Sequence, residues 1–466
     1  MRNPHDVQIA DVACFFLPVL TRMPLKFGNQ VLTHVSCARA CVRLKDGNGR
    51  VAQGWGETPL SVAWTWPSQA DYTMRGDKMK SFTELLGRDL KSFQEEGHPM
   101  DIGHAYLRDR LGPLLASFNA GTSGDEAMPH LAALVSLSAF DIAIHDAYGV
   151  LHGTPVYDTY NSEYMSHDLS HYLEAEPDSS DSFAGKYPQD YFVSPESRLA
   201  VWHLVGGLDP LESADLSGEE PDDGYPVLLR DWIQTDGLNC LKIKLRGNDG
   251  PWDYDRIVKV GEIGKQEGAK WLTADFNCTV GNPDYVNEIL DQLAQENPDI
   301  LERMLYVEQP FPYDLESNQI DVHSVSQRKP LFLDESAHDW KFIRLGRRLG
   351  WSGVALKTCK TQTGALLSLC WAKAHDMQLM VQDLTNPMLA QIPHCLLASH
   401  AGTIMGVESN AMQFYPEAST VEEKIHPGLY KRRDGSLDLS SVSGPGFGYR
   451  LDEIDRRLPD PIVDFE

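Results

Sequence analysis

Eight short apolar runs in the second half of the chain set its plan. These are RLAVWHLV (198–205), CLKIKL (240–245), WLTADFN (271–277), MLYVEQP (304–310), PLFLDES (330–336), GVALKT (353–358), QLMVQD (378–383) and TIMGVE (403–408), and all but the first carry a charged residue at or near the carboxyl end. Each but the last is followed by a stretch with helical periodicity. Runs this short are strands, and strands alternating with helices predict a parallel (β/α) barrel. The terminal polar residues Lys244, Asp275, Glu308, Asp334, Lys357, Asp383 and Glu408 follow one another at intervals of 23 to 33 residues, the length of one βα unit. The first half is different. VQIADVACFFLPV (7–19), VLTHVSCARACVRL (31–44) and VAQGWGE (51–57) read as antiparallel strands, the last two joined by a DGNG turn, with TRMPLKFGNQ (21–30) as a loop. From about residue 80 to 152 the pattern is helical, ending in a long apolar helix closed by Gly153 and Pro155. Residues 158–196 are acidic and rich in Ser and Tyr, and read as an insertion. The eighth strand is followed by no clear helix, so the tail is expected to return to the N-terminal domain.

Within CLKIKL, alternation places Leu241, Ile243 and Leu245 on one side and Lys242 and Lys244 on the other. In a barrel the carboxyl ends of the strands converge, so Asp275, Glu308 and Asp334 on three consecutive strands meet there. Three carboxylates held together need a cation between them, and an all-oxygen set suits Mg²⁺. Lys244 precedes the acids and Lys357 follows them, which sets one amine on each face of a metal-bound carboxylate substrate. A lysine that takes a proton must be neutral part of the time, against an ordinary pKa of about 10.4. Lys242 beside Lys244 disfavours a second charge and gives the double lysine a chemical reason. The plainer alternative is a network of buried salt bridges.

Charge and cysteines narrow the picture. With 67 acidic and 41 basic residues the formal charge is −26, which opposes phosphate backbones and anionic membranes, and no basic run offsets it. No nucleic-acid or membrane partner is expected. The eight cysteines form no CxxC pair and lie mostly in apolar stretches, as reduced packing thiols do. The N-terminus resembles neither a signal peptide nor a transmembrane helix. The expected location is the cytoplasm.

The series KIK (242–244), ADFN (274–277), VEQP (307–310), LDES (333–336) and ALKT (355–358) resembles the enolase superfamily, in its mandelate racemase and muconate lactonizing branch, nearest the muconate cycloisomerase-like subgroup. GWGE (54–57) and SAFDIAIHDAYGVLHGTPVY (138–157) resemble that family's capping domain, and GPGFGYRLDE (444–453) its returning C-terminal segment. Sites of this superfamily pair a Lys or His base with Mg²⁺. The resemblance implies an α/β fold, a modified TIM barrel of (β/α)7β type with an α+β cap. The expected divisions are a cap at 1–195, a barrel at 197–410 and a returning segment at 411–466. It implies Asp275, Glu308 and Asp334 as ligands of one Mg²⁺, with Mn²⁺ as the alternative ion, and Asn277 and Glu335 beside them. It makes Lys244 a base, Lys242 its modulator and Lys357 the opposing acid or base, with Lys360 a weaker candidate for that last role. The His–Asp dyad of the mandelate racemase-like subgroup is absent, since strand seven ends in Gln382 and Asp383; His394 and His400 read as packing residues.

By the same resemblance, substrate contacts are expected from Arg22, Lys26 and Phe27 in the 21–28 loop, from Trp64, and from Asp383 and Glu408. The implied partner is a small-molecule carboxylate, in a homo-oligomeric enzyme. The implied reaction is removal of the proton α to a carboxylate, then racemisation, epimerisation or cycloisomerisation, with β-elimination as in acid-sugar dehydratases as the alternative. A metal-independent glycoside hydrolase would need only two acids and gives three lysines no task. A non-catalytic binding protein is the third reading.

Overall fold

The computed structural model describes residues 3–27, 30–177 and 182–465, the side chain of Phe27 excepted. Three long strands open the chain: β1 (Val7–Phe27), β2 (Gln30–Asp46) and β3 (Val51–Pro59). With the two-residue β4 (Glu96–Gly97) they form an antiparallel sheet in the order β3-β2-β1-β4. The segment expected as a loop at 21–30 is strand on both sides. After an irregularity between Leu20 and Leu25 the pairing resumes at Leu25↔Leu32 and runs to Phe27↔Gln30. The sequence pattern hid this because Pro24 interrupts the alternation where the ribbon shifts register.

Helix His130–His152 lies across this sheet and is closed by Gly153 in the left-handed region. GWGE makes the close approach possible. A Cβ on Gly54 would stand 2.0 Å from the Ala147 nitrogen, and one on Gly56 2.1 Å from the Ala139 carbonyl oxygen. Backbone therefore sits on backbone along an Ala139–Ala143–Ala147 stripe, and any larger residue would push the helix off. This helix is long and apolar enough to cross a membrane, but 83% of its most apolar window is buried within the protein, the pattern of a core helix.

The barrel strands are β5 (Arg198–Val205), β6 (Cys240–Lys244), β7 (Trp271–Asp275), β8 (Met304–Glu308), β9 (Leu331–Leu333), β10 (Gly353–Leu356), β11 (Gln378–Val381) and β12 (Val407–Glu408). All pair in parallel, in the order β11-β10-β9-β8-β7-β6-β5-β12. Between β11 and β12 the sheet has no ladder; a hydrogen bond from Ile404 N–H to the Leu379 carbonyl bridges the gap. The first seven strands are followed by helical segments and β12 by the tail, a modified TIM barrel of (β/α)7β form. The fourth helical segment is a single turn, His323–Ser326. The tail adds β13 (Ser436–Asp438), antiparallel to β5, and then reaches the cap, where Cys14 N–H donates to the Val463 carbonyl at 2.8 Å. All eight cysteines are free, and only Cys278 is not fully buried.

Among its described residues the insertion at 158–196 contains only short 3₁₀ turns, yet its Tyr160, Leu169, Tyr172 and Leu173 are buried. At the joint between cap, insertion and barrel, His145 pairs with the Tyr160 hydroxyl and with Thr363 Oγ1, both at 2.9 Å. Burial lowers the His145 pKa to about 3, so the ring is neutral in the fold. Below the ordinary histidine value the unfolded chain takes up a proton that the folded chain refuses, and the stability His145 contributes is lost as pH falls. Exchanging His145 for Gln therefore matters less in acid. The stability gap between wild type and His145→Gln is expected to shrink by roughly 2 kcal/mol from about pH 7 to about pH 5 in urea melts. A constant gap would mean that the ring takes up its proton in the fold as readily as in the unfolded chain.

Candidate active site

Residues of one parity on the barrel strands point inward. At the base Trp202, Cys240, Tyr306, Phe332 and Met380 form an apolar plug, with Tyr306 stacked on Phe332 at 4.2 Å between ring centres. Two residues further along the strands the inward positions turn polar, because this is where the barrel opens. Leu241, Ile243 and Leu245 belong to the large core between barrel and helices. Lys242 and Lys244 point to the centre.

Lys242 is 2% exposed. Its ammonium lies 2.7 Å from Glu308 Oε1, 2.9 Å from Glu408 Oε2 and 3.1 Å from Asp275 Oδ2. Burial alone would lower its pKa, but these three carboxylates outweigh burial and raise it well above the ordinary lysine value. Lys244 Nζ donates to Asp275 Oδ2 at 2.5 Å. On the other side Lys357 Nζ donates to the Asp383 carbonyl at 3.1 Å and stands 3.3 Å from Asp334 Oδ2. Its pKa too is raised, Asp334 overriding burial. Lys360, on the turn after β10, donates to the Asp334 carbonyl and lies 3.6 Å from Asp334 Oδ1; burial lowers its pKa. It thus shares the site with Lys357, closer than its place in the sequence implied.

Asp275, Glu308 and Asp334 end adjacent strands, and Glu335 and Asn277 adjoin them. Asn277 N–H donates to Asp275 Oδ1 at 2.9 Å and its amide to Glu335 Oε1 at 3.2 Å. Burial and the neighbouring acids raise the Glu308 pKa well above the carboxylate range and lift Glu335 to about 7. Asp334 Oδ1, Glu335 Oε2 and Asn277 Oδ1 are buried with no hydrogen-bond partner. Oxygen acceptors that repel one another and lack donors are what a hard divalent cation would satisfy. The residues present therefore fit Mg²⁺.

Several residues that the sequence did not single out complete the site. Gln382 donates to Glu308 Oε2 at 2.6 Å and to the Tyr306 hydroxyl at 3.1 Å. Its parity with Met380 was the available signal. Asn410 donates to Glu408 Oε1 at 2.8 Å and, through its backbone N–H, to Asp383 Oδ2 at 2.8 Å. Asn277, Gln309, Thr361 and Thr385, all just past strand ends, have φ between 31° and 74°. Left-handed backbone at four non-glycine positions around one rim is strain that the surrounding packing holds in place.

A cavity of about 40 Å³ sits over this cluster, lined by Lys242, Lys244, Asp334, Lys357, Asp383 and Glu408 below and by Leu25, Leu32, Trp64, Leu204 and Leu384 among the residues closing it. Trp64 stacks over both cations, its ring 5.1 Å from Lys357 Nζ and 5.6 Å from Lys360 Nζ. Asp383, Glu408 and Trp64 are thus brought to the site. Arg22 is not: its guanidinium grips Asp223 at 2.6 and 2.7 Å, tying the β1–β2 ribbon to the acidic 206–226 loop. Lys26 packs beside Gly207, whose N–H its carbonyl accepts at 3.0 Å. The side chain of Phe27 lies outside the described residues. His394 is buried against the Glu408 carbonyl and His400 stacks on Tyr157, both as packing residues. Among the described residues a second group also suits a metal ion, Asp101, His167 and His171, whose ligand atoms lie within 4.8 Å of one another; none of the three lines this cavity.

Residues 226–455 match the family described as enolase C-terminal domain-like. That match takes in just under half of the chain. The solved structures that the chain resembles include a racemase, dipeptide epimerases and a cycloisomerase. N-succinyl Arg/Lys racemase from Bacillus cereus ATCC 14579 superposes with a TM-score of 0.62 at 15% identity, covering 97% of this chain and 99% of that one. 2-Chloromuconate cycloisomerase from Rhodococcus opacus 1CP gives 0.58 at 16% identity, covering 97% and 100%. At such identities the likeness is one of fold. An L-Ala-D/L-amino acid epimerase from Pedosphaera parvula (strain Ellin514) is 29% identical over 141 residues, 30% of this chain and 37% of that relative's length.

Proposed function

We propose that this chain is an enolase-superfamily enzyme that depends on Mg²⁺, removes the proton α to a carboxylate and then racemises, epimerises or cycloisomerises its substrate. The observation that carries this reading is the placement of Lys244 beside Asp275 and of Lys357 beside Asp334, at the two ends of the row Asp275, Glu308 and Asp334, with both lysines lining one cavity. Asp275, Glu308 and Asp334 would hold the ion, with Asn277 and Glu335 orienting them. When bound, it supplies the positive charge that makes the α-proton acidic and stabilises the enolate.

Lys244 would take the proton from one face and Lys357 would return one to the other, which is the requirement of a 1,1-proton transfer. Lys242 serves as a fixed cation, since three carboxylates hold its charge in place. Asp383 and Glu408, themselves held by Asn410, fix the floor beside Lys357 and Lys242. The walls formed by Leu25, Leu32, Trp64, Leu204 and Leu384 suit a carboxylate carrying an apolar group. A cavity of about 40 Å³ is far below the several hundred Å³ of ordinary small-molecule sites, so the ribbon bearing Leu25 and Leu32 must lift for substrate to enter. The arrangement of lysines agrees best with the muconate cycloisomerase-like subgroup.

The deciding experiment is incubation with a carboxylate library, weighted toward N-acylated amino acids, dipeptides and muconates, in D₂O. Deuterium should enter the α-position in the presence of Mg²⁺, stop on chelation and resume when Mg²⁺ is returned. Elimination without exchange would favour the dehydratase reading, and no metal-dependent reaction on any acid would overturn the proposal.

A further inference from the structure

The cap carries a second cluster that the chemistry at the barrel mouth does not use. Asp101 is the third residue of helix Pro99–Tyr106 and forms a capping box with His98, whose N–H donates to Asp101 Oδ2 at 3.1 Å. The Tyr172 hydroxyl donates to Asp101 Oδ1 at 2.5 Å, and His167 Nδ1 lies 2.9 Å from the same oxygen. Gly97 leaves the carboxylate its place: a Cβ there would stand 2.8 Å from Asp101 Oδ2. The carboxylate is thus fixed by backbone and hydroxyl before any ligand arrives. His171 ends the 3₁₀ turn Leu169–His171 of the insertion and His167 lies two residues before it, with their rings nearly parallel and 4.1 Å apart. Both are exposed, so an ion can reach them from solvent.

We propose that Asp101, His167 and His171 bind a Zn²⁺-class transition-metal ion that fastens the insertion to the cap. Two imidazoles and one carboxylate with ligand atoms within 4.8 Å of one another form a donor set that prefers Zn²⁺, Co²⁺ or Ni²⁺ to Mg²⁺, which takes oxygen ligands. Three protein ligands leave at least one position for water. Tyr172 remains on Asp101 as the partner that holds the carboxylate oriented, the usual arrangement around metal ligands. Asp101 comes from the cap helix, while both histidines come from a segment whose described residues form short 3₁₀ turns and no strand or longer helix. An ion there joins two parts of the chain that are 66 residues apart in sequence, and it gives the insertion a role separate from substrate chemistry.

The test uses untagged full-length protein with the barrel site kept filled by excess Mg²⁺. Titration with Co²⁺ should add one equivalent per chain, seen as visible d–d absorption and as a rise in melting temperature. His171→Asn and His167→Gln, at exposed positions that the fold tolerates, should each remove that equivalent and the rise in melting temperature, whereas Glu308→Gln at the barrel mouth should leave both unchanged. The proposal is overturned if Co²⁺ does not bind under these conditions, if binding survives both histidine variants, or if Glu308→Gln removes it. Because the readout is metal stoichiometry, the result does not depend on whether the reaction proposed for the barrel is correct.

Discussion

Lys244→Met is expected to lower α-proton exchange by ~10²–10⁴-fold, the usual contribution of a positioned acid or base. Methionine keeps the length and much of the volume of lysine but carries no proton. Lys242 remains 3.1 Å from Asp275 in the variant, so the carboxylate is not left without a cation. The loss should therefore fall on kcat, with folding and Mg²⁺ binding near those of wild type. Lys357→Met makes the reciprocal case. If the two amines serve opposite faces, each variant should retain exchange on one enantiomer of a chiral substrate and lose it on the other, read by proton NMR in D₂O. Exchange of both enantiomers by each single variant would show that neither lysine is the base. Loss with Lys244→Met and little change with Lys357→Met would make Lys357 a fixed cation, which points to cycloisomerisation or elimination in place of racemisation.

Lys242→Met should act on stability first. The substitution removes the cation from Glu308 and Glu408 and leaves Asp275 with Lys244; the three acids are each no more than 4% exposed at the side chain. Breaking a buried ion pair on one side costs about 3–5 kcal/mol, because the remaining charge has neither solvent nor partner. Urea unfolding without divalent ions should show a loss of this size. Saturating Mg²⁺ should recover part of it, since an ion bound only in the folded state adds stability by mass action. A loss below about 1 kcal/mol, the range of exposed pairs, would mean that the acids take up protons and need no lysine. A loss that Mg²⁺ does not relieve would place the ion elsewhere.

The strand-end acids and lysines were legible because a barrel converts spacing into convergence: one βα unit per polar residue brings Asp275, Glu308 and Asp334 to one rim. The parity of Lys242 and Lys244 likewise follows from the two-residue period of a strand. What the lysines do there was less legible. Lys242 reads in sequence as a neighbour of Lys244 along one strand, yet its closest partners are Glu308 and Glu408 across the barrel. By its place in the sequence Lys360 is the weaker candidate beside Lys357, and only the turn after β10, with Thr361 at positive φ, folds it back onto Asp334. Arg22, expected near substrate, is held instead by Asp223, a pairing across 201 residues that no local pattern encodes.

By itself the sequence determined the barrel, its cap, the inward face of each strand and the acids and lysines that stand at the strand ends, because periodicity and strand-end position are local properties. The β1–β2 ribbon that replaces the expected loop, the roof of Leu25, Leu32 and Trp64, the orphaned oxygens of Asp334 and Glu335, and the pairing of Asp101 with His167 were decided only in three dimensions. Each depends on segments far apart in the chain meeting at distances of a few ångströms, and which side chains meet at that range is fixed by packing, not by spacing along the sequence.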